Sequence, residues 1–209
     1  MPYVGQSLKR FEDHRLLTGQ GQFLDDLTFP GMLHAVVLRS PHAHAVLTSL
    51  EVTAARQAPG VVAVVTATDL EHIAAHIPTR RNVDADALRP PEHPVLARDK
   101  VCYVGQPVAI VVAQDPYVAR DAVEVIAVHY APLPAVIDPL TAMHPDTPVV
   151  HADLGTNGVL HVTSSGGDLE AAFAQADLVV RQQYRCNGWP PPPWKPVVWW
   201  PTTTPKTIG

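Results

Sequence analysis

The stretch KVCYVGQPVAIVVA (Lys100–Ala113), followed by PYVARDAVEVIAVHY (Pro116–Tyr130), is the clearest structural signal in the chain. Its first part is an apolar, β-branched run interrupted at Gly105-Gln106-Pro107, which predicts a strand broken at that point. In the second part Pro116 suits the start of a helix. Val118, Ala122, Val125 and Ile126 recur at helical spacing, so one face is expected to bury against the preceding strand. VHYAPLPAVID (Val128–Asp138) closes a strand–helix–strand unit, and its two prolines put this last strand near a sheet edge.

Working back from this unit, LHAVVLRS (Leu33–Ser40) and AVLTSLEV (Ala45–Val52) read as a strand pair separated by Pro41. TAARQA (Thr53–Ala58) predicts a short helix capped by Thr53 and stopped by Pro59-Gly60. Val61–Ala75 opens with an apolar run fit for a strand buried on both faces, after which Thr68 or Asp69 can cap a further short helix. Four prolines among charged residues make Ile77–Pro94 a long exposed loop. Residues 1–30 are turn-rich and predict an irregular arm with turns at Gly19–Gly21 and Pro30–Gly31. Downstream, Leu140–Met143 reads as a short helix, and Asp168 caps a helix over Asp168–Ala176 with Leu169, Ala172 and Phe173 inward. Asp177–Cys186 reads as a strand. The expected fold class is α+β, a mixed sheet with short helices.

Composition narrows the function classes. A chain of 209 residues, 46% apolar, suffices for one or two domains with a real core. Twelve Gly and 22 Pro fall short of collagen-like or low-complexity sequence. Fifteen basic against 20 acidic residues give a net charge of −5, so no basic footprint answers a phosphate backbone and nucleic acid is not an expected partner. The apolar run at Val108–Ala113 is far shorter than the roughly 20 residues of a membrane span. Met1–Arg10 lacks an apolar signal core, and the expected location is cytoplasmic. Cys102 and Cys186 read as two unpaired thiols.

The candidate sites are few. His42 and His44 form an H-x-H pair, and on a strand both rings would project from one face as metal ligands do; a structural or surface pair is the competing reading. Asp25-Asp26 suits Mg²⁺ or, more simply, a turn and cap. GQGQ (Gly19–Gln22) and SSGG (Ser164–Gly167) match neither the dinucleotide fingerprint nor the phosphate loop, and no nucleophile elbow occurs. Val104-Gly105-Gln106-Pro107 reads as a bulge near a ligand or as a structural kink. Residue chemistry alone names no reaction, and no residue receives a catalytic, cofactor-binding or metal role.

A longer succession of motifs carries more. G-x-S-x-x-R-x-E-D-x-x-L-L-T-G (Gly5–Gly19), D-D-L-x-x-P-G-M-L-H-A (Asp25–Ala35), R-S-P-H-A-H-A (Arg39–Ala45), P-G-V-V-A-V-V-T (Pro59–Thr66), L-A-R-D-K-V-x-Y-V-G-Q-P-V-A (Leu96–Ala109) and H-Y-A-P-L-P-A-V (His129–Val136) follow in order. Together they closely resemble the start of the molybdenum-binding large subunit of the xanthine dehydrogenase, aldehyde oxidase and carbon monoxide dehydrogenase family. The resemblance implies an N-terminal arm at residues 1–30, an α/β hammerhead domain at 31–140 and the start of a molybdopterin-binding domain at 141–186. It implies an oxidoreductase of aldehydes, purine-like N-heterocycles or carbon monoxide when full length, with iron–sulfur and FAD-binding partners. The family's molybdopterin-type cofactor and its base, a glutamate, belong to later domains, so this fragment is expected to hold no cofactor and to be inactive alone. The alternative is a non-catalytic subunit-interaction or assembly module.

Residues 187–209 depart from the family. All four Trp and seven Pro lie after Cys186, and no acid follows Asp177. Each codon of residues 187–204 can be read as the last two bases of an intended codon plus the first base of the next. The segment NGWPPPPWKPVVWWPTTT then decodes as QRLAPAPMEARGVVADYD, a family-like continuation, with PKTIG (Pro205–Gly209) back in frame. A shifted reading frame over 187–204, in a chain that then ends early, is the expectation. The alternative is a genuine Pro/Trp-rich tail whose polyproline run meets an aromatic-groove module.

Overall fold

Among the described residues, six strands and four short helices form in the order α1 (Asp13–Leu17), β1 (His34–Arg39), β2 (Ala45–Glu51), α2 (Thr53–Gln57), β3 (Val61–Thr66), β4 (Lys100–Val101), β5 (Pro107–Ala113), α3 (Pro116–Glu124), β6 (Ala127–Pro132) and α4 (Leu169–Ala174). The structure, a computed structural model, describes residues 3–73, 76–77, 90–164 and 166–184. Gly31–Gly167 is one unit, and the described parts of Met1–Pro30 and Asp168–Gly209 belong to a second.

In the Gly31–Gly167 unit two three-stranded sheets form, ordered β1-β5-β3 and β4-β2-β6, and every pairing is antiparallel. β5 is central in the first sheet because PVAIVVA is apolar at every position. Its inner residues Ala109, Val111 and Ala113 pack with Val64, Ala55, Ala119, Ala122 and Ile126 under α2 and α3. Asp115 starts α3 by accepting hydrogen bonds from the N–H groups of Tyr117 (2.8 Å) and Val118 (3.3 Å), with Pro116 at the first helical position. Ala119 and Ala122, both small, let the helix lie close to the sheet. A second cluster, Ala45, Ala97, Val101 and Val108, is completed by Leu38, Leu47, Leu50 and Tyr130. Each fully buried valine contributes on the order of 1.5–3 kcal/mol.

The α+β class holds, and so does the break at Gly105-Gln106-Pro107, which separates β4 in one sheet from β5 in the other. β6 is an edge strand ending at Pro132, as its prolines require. Several expectations are corrected. β1 and β2 do not pair with each other. Ser40, between them, donates its N–H to Gln106 O (2.9 Å) and accepts from Gly105 N (2.8 Å), so the chain passes to the other sheet instead of turning back. β3 is an edge strand with only Val64 buried, not a strand covered on both faces. Val52, not Thr53, occupies the N-cap of α2, with no side-chain cap bond. The helix expected after β3 is a 3-10 turn over Thr68–Leu70. Val125 is 52% exposed because α3 ends at Glu124 and the helical repeat stops with it.

Leu140–Met143 forms turns, with Leu140 N bonded to the Asp138 carboxylate (3.0 Å), and no helix. A short helix, α1, lies within the arm expected to be irregular. Asp168 caps α4 through Ala171 N (2.9 Å) as expected, but Leu169, Ala172 and Phe173 are exposed, since the helix has no described surface in its unit to bury against. Residues 177–184 form no strand, because a strand needs a partner and none pairs with them. Most of the expected Ile77–Pro94 loop, and the whole of residues 187–209, lie outside the described residues.

Candidate functional site: the motif junction and its adjoining cleft

Two sequence motifs meet where β1 and β4 end. Besides the Ser40 clasp, Arg39 Nη1 donates to Gly105 O (2.9 Å), and Gln106, buried, accepts from Cys102 N through its side-chain oxygen (2.7 Å). Gly105 takes a positive φ of 86°, which is why glycine stands there. The Gly-Gln-Pro break is thus a locked structural kink.

His42 and His44 sit in the loop after β1, not on a strand, and they do not converge. The His42 ring tilts against Tyr130 at 4.8 Å, while His44 Nδ1 lies 2.8 Å from Pro134 O, an arrangement that puts the ring proton on Nδ1. Tyr130 has its phenol raised by burial, opposed by a hydrogen bond with Ser40. Asp26 accepts from Phe23 N (2.9 Å) within a 3-10 turn, a capping role, and it and Asp25 share that turn (Leu24–Asp26). Gly19, in the left-handed region, ends α1 with Gln20 N bonded to Arg15 O (2.8 Å), and Gly167 precedes the α4 cap. Both Gly-rich stretches punctuate helices where they are described. Cys186 lies outside the described residues.

Beside the kink is an open cleft of about 860 Å³ whose wall includes His93, Lys100, Cys102, His151 and Asp153. Lys100 Nζ donates to Val150 O (2.8 Å) and so ties β4 to the segment after β6. Burial pushes the Cys102 thiol up, while burial and then the Lys100 charge push His151 down. The wall therefore presents a protonated thiol and a neutral imidazole near pH 7, not an activated thiolate–imidazolium pair. Asn157, which sequence reasoning missed, accepts from Val150 N (3.0 Å) and donates to Ala142 O (2.9 Å) and Pro148 O (3.0 Å). The Asn-Gly turn signal at Asn157-Gly158 was its only trace.

Among the described residues no three His, Cys, Asp or Glu side chains gather in a metal-holding group, and no buried side-chain polar atom lacks a partner. No helix among them is long and apolar enough to cross a membrane.

Residues 18–134 match the family model described as aldehyde oxidase and xanthine dehydrogenase, a/b hammerhead domain. The chain is 39% identical over 187 residues to the 6-hydroxypseudooxynicotine dehydrogenase complex subunit gamma of Paenarthrobacter nicotinovorans, a match covering 88% of this chain and 23% of that one. It is 39% identical over 194 residues to the carbon monoxide dehydrogenase large chain of Afipia carboxidovorans, covering 87% and 23%. The crystal structure of quinoline 2-oxidoreductase from Pseudomonas putida 86 superposes with a TM-score of 0.76 at 36% identity, again over 87% of this chain and 23% of that one. Further relatives are described as molybdopterin or molybdenum-binding subunits of nicotinate and xanthine dehydrogenases. The chain spans about 23% of the length of the relatives it matches first.

Proposed function

The chain belongs to the aldehyde oxidase and xanthine dehydrogenase family, and from that membership we propose that it is the N-terminal part of the large subunit of a molybdenum hydroxylase. The observation that carries this reading is agreement along nearly the whole chain with relatives more than four times its span. Residues 31–140 are its hammerhead domain, residues 1–30 an arm, and residues 141–186 the start of the cofactor-binding domain. The complete subunit oxidises an aldehyde, a purine-like N-heterocycle or carbon monoxide, with a molybdopterin-type cofactor held by later domains and with iron–sulfur and FAD-binding partners, in the cytoplasm. The 209 residues alone are inactive, because the cofactor cradle and the glutamate base belong to the later domains of the complete subunit. Residues 187–204 are the product of a shifted frame; DNA lacking paired one-base changes around these codons overturns that point.

The test compares the 209-residue chain with the product of an extended reading frame at its locus, by metal analysis and by dye reduction with aldehydes, N-heterocycles and carbon monoxide. Molybdenum and turnover are expected only in the longer product. Turnover by the short chain without a helper overturns the proposal.

A further inference from the structure

Among the described residues, helices cover the sheet β1-β5-β3 on one face only. On its other face the register places Ala35 beside Val112 and Ala63, and Val37 beside Ile110 and Val65. Six aliphatic side chains thus form two rows of three across the sheet, with no charged or polar residue among them. Ala35 and Ala63 are exposed, the other four are half-buried, and none of the six belongs to either core cluster. An antiparallel sheet with one wet face alternates apolar with polar residues; a strand apolar at every position is the pattern of a sheet covered on both sides. β5 has that pattern throughout. β3 is apolar from Val61 to Val65, yet stands half-exposed, so the sequence is written for a cover that the described residues of Gly31–Gly167 do not supply.

We propose that this face is a docking surface for the later polypeptide of the same large subunit, held against it as a domain–domain contact. The inference rests on the reading of the chain as the N-terminal part of a larger subunit. Two arguments select this occupant over a second copy. A free dimer needs about 800 Å² and some 20–30 residues from each partner, which six Ala, Val and Ile side chains do not approach. A tethered neighbour does not need that area, because the covalent link raises its effective concentration. The relatives carry more than three quarters of their length outside the matched region, so such a neighbour is available. The six side chains carry no charge, which calls for an apolar partner.

The experiment is photoactivated carbene labelling, read by mass spectrometry at Ala35–Val37, Ala63–Val65 and Ile110–Val112, in the 209-residue chain and in the subunit translated from the extended reading frame. Labelling of all three segments in the short chain, lost in the long one, is expected. The doubly substituted Ala35→Lys, Ala63→Lys protein changes exposed positions, so the short chain is expected to keep its melting midpoint while labelling of β5 returns in the long subunit. A long subunit whose face stays labelled overturns the docking surface and leaves the family reading intact. Protection that appears in the short chain as its concentration rises, together with a dimer in sedimentation, overturns the occupant in favour of a second copy. A locus with no in-frame continuation overturns the docking proposal together with the reading beneath it.

Discussion

Gln106 is worth more to this fold than its neighbours because its side chain satisfies a backbone group that nothing else reaches. Replacement by Leu leaves Cys102 N without its 2.7 Å acceptor in a part-buried position. A loss of about 1–3 kcal/mol, read from urea unfolding, is expected. Two titrating groups contribute to the acid limb of stability. Asp69 accepts from Thr66 Oγ1 and Thr66 N (2.7 Å each), and these bonds, with the Arg56 charge, hold its carboxyl below its ordinary value. Its contribution is present above the ordinary carboxylate pKa of about 4 and is lost as pH falls through the lower native value. His151 titrates below its ordinary value. As pH falls below about 6.5 the unfolded chain takes up this proton first, so stability declines there. The urea midpoint is expected to fall in two stages, with His151→Gln flattening the upper and Asp69→Asn the lower; a midpoint flat from pH 7 to 5 refutes the His151 argument. None of these roles was legible in sequence. A glutamine beside Gly and Pro, or a histidine between Val150 and Ala152, shows its partner only once β4, the kink and the following segment are folded together.

Elements separate what local sequence specifies from what pairing decides. α3 was legible because its signals are local, Pro116 at the start and apolar residues at helical spacing, whereas its Asp115 cap was not read; Asp115→Ala is expected to cost about 0.5–2 kcal/mol through the loss of two capped N–H groups. Which strands pair was not legible, since β1 and β2 are equally good strands and only the Ser40 clasp sends them to different sheets. α4 and residues 177–184 mark the other limit. An apolar pattern predicts an inward face, but burial requires a surface to meet. Glycines give a finer comparison. Gly60 and Gly105 both have positive φ, 83° and 86°, yet a Cβ at Gly60 meets Val118 Cγ1 at 3.3 Å whereas one at Gly105 meets nothing within 4 Å. Gly105→Ala is expected to cost about 1–2 kcal/mol from backbone conformation alone. Gly60→Ala is expected to cost more, because it also presses α3 away from the β3 start; equal melting shifts for the two variants refute this.

At the scale of the whole molecule, burial among the described residues is confined to one of the two units. Every described residue that is buried lies within Ser40–Ile126, and none of them is in Met1–Pro30 or Asp168–Gly209. Phe11, Leu17, Phe23 and Leu169, Phe173, Leu178 are more than half exposed. The helices of these flanks are short, five residues in α1 and six in α4, below the length at which a helix persists in water without packing. Their caps and turns are therefore expected to open locally at little cost, while β5, hydrogen-bonded on both sides, opens only with the unit that contains it. Native-state hydrogen exchange on the 209-residue chain checks this directly. Amides of His14–Leu17 and Ala171–Ala174 are expected to exchange with almost no protection, and those of Val108–Ala113 to approach the global unfolding free energy. Protection of the flanks comparable to that of β5 would mean that they bury their aromatic and aliphatic side chains in solution. In that case the contrast between the Gly31–Gly167 unit and its flanks would fail.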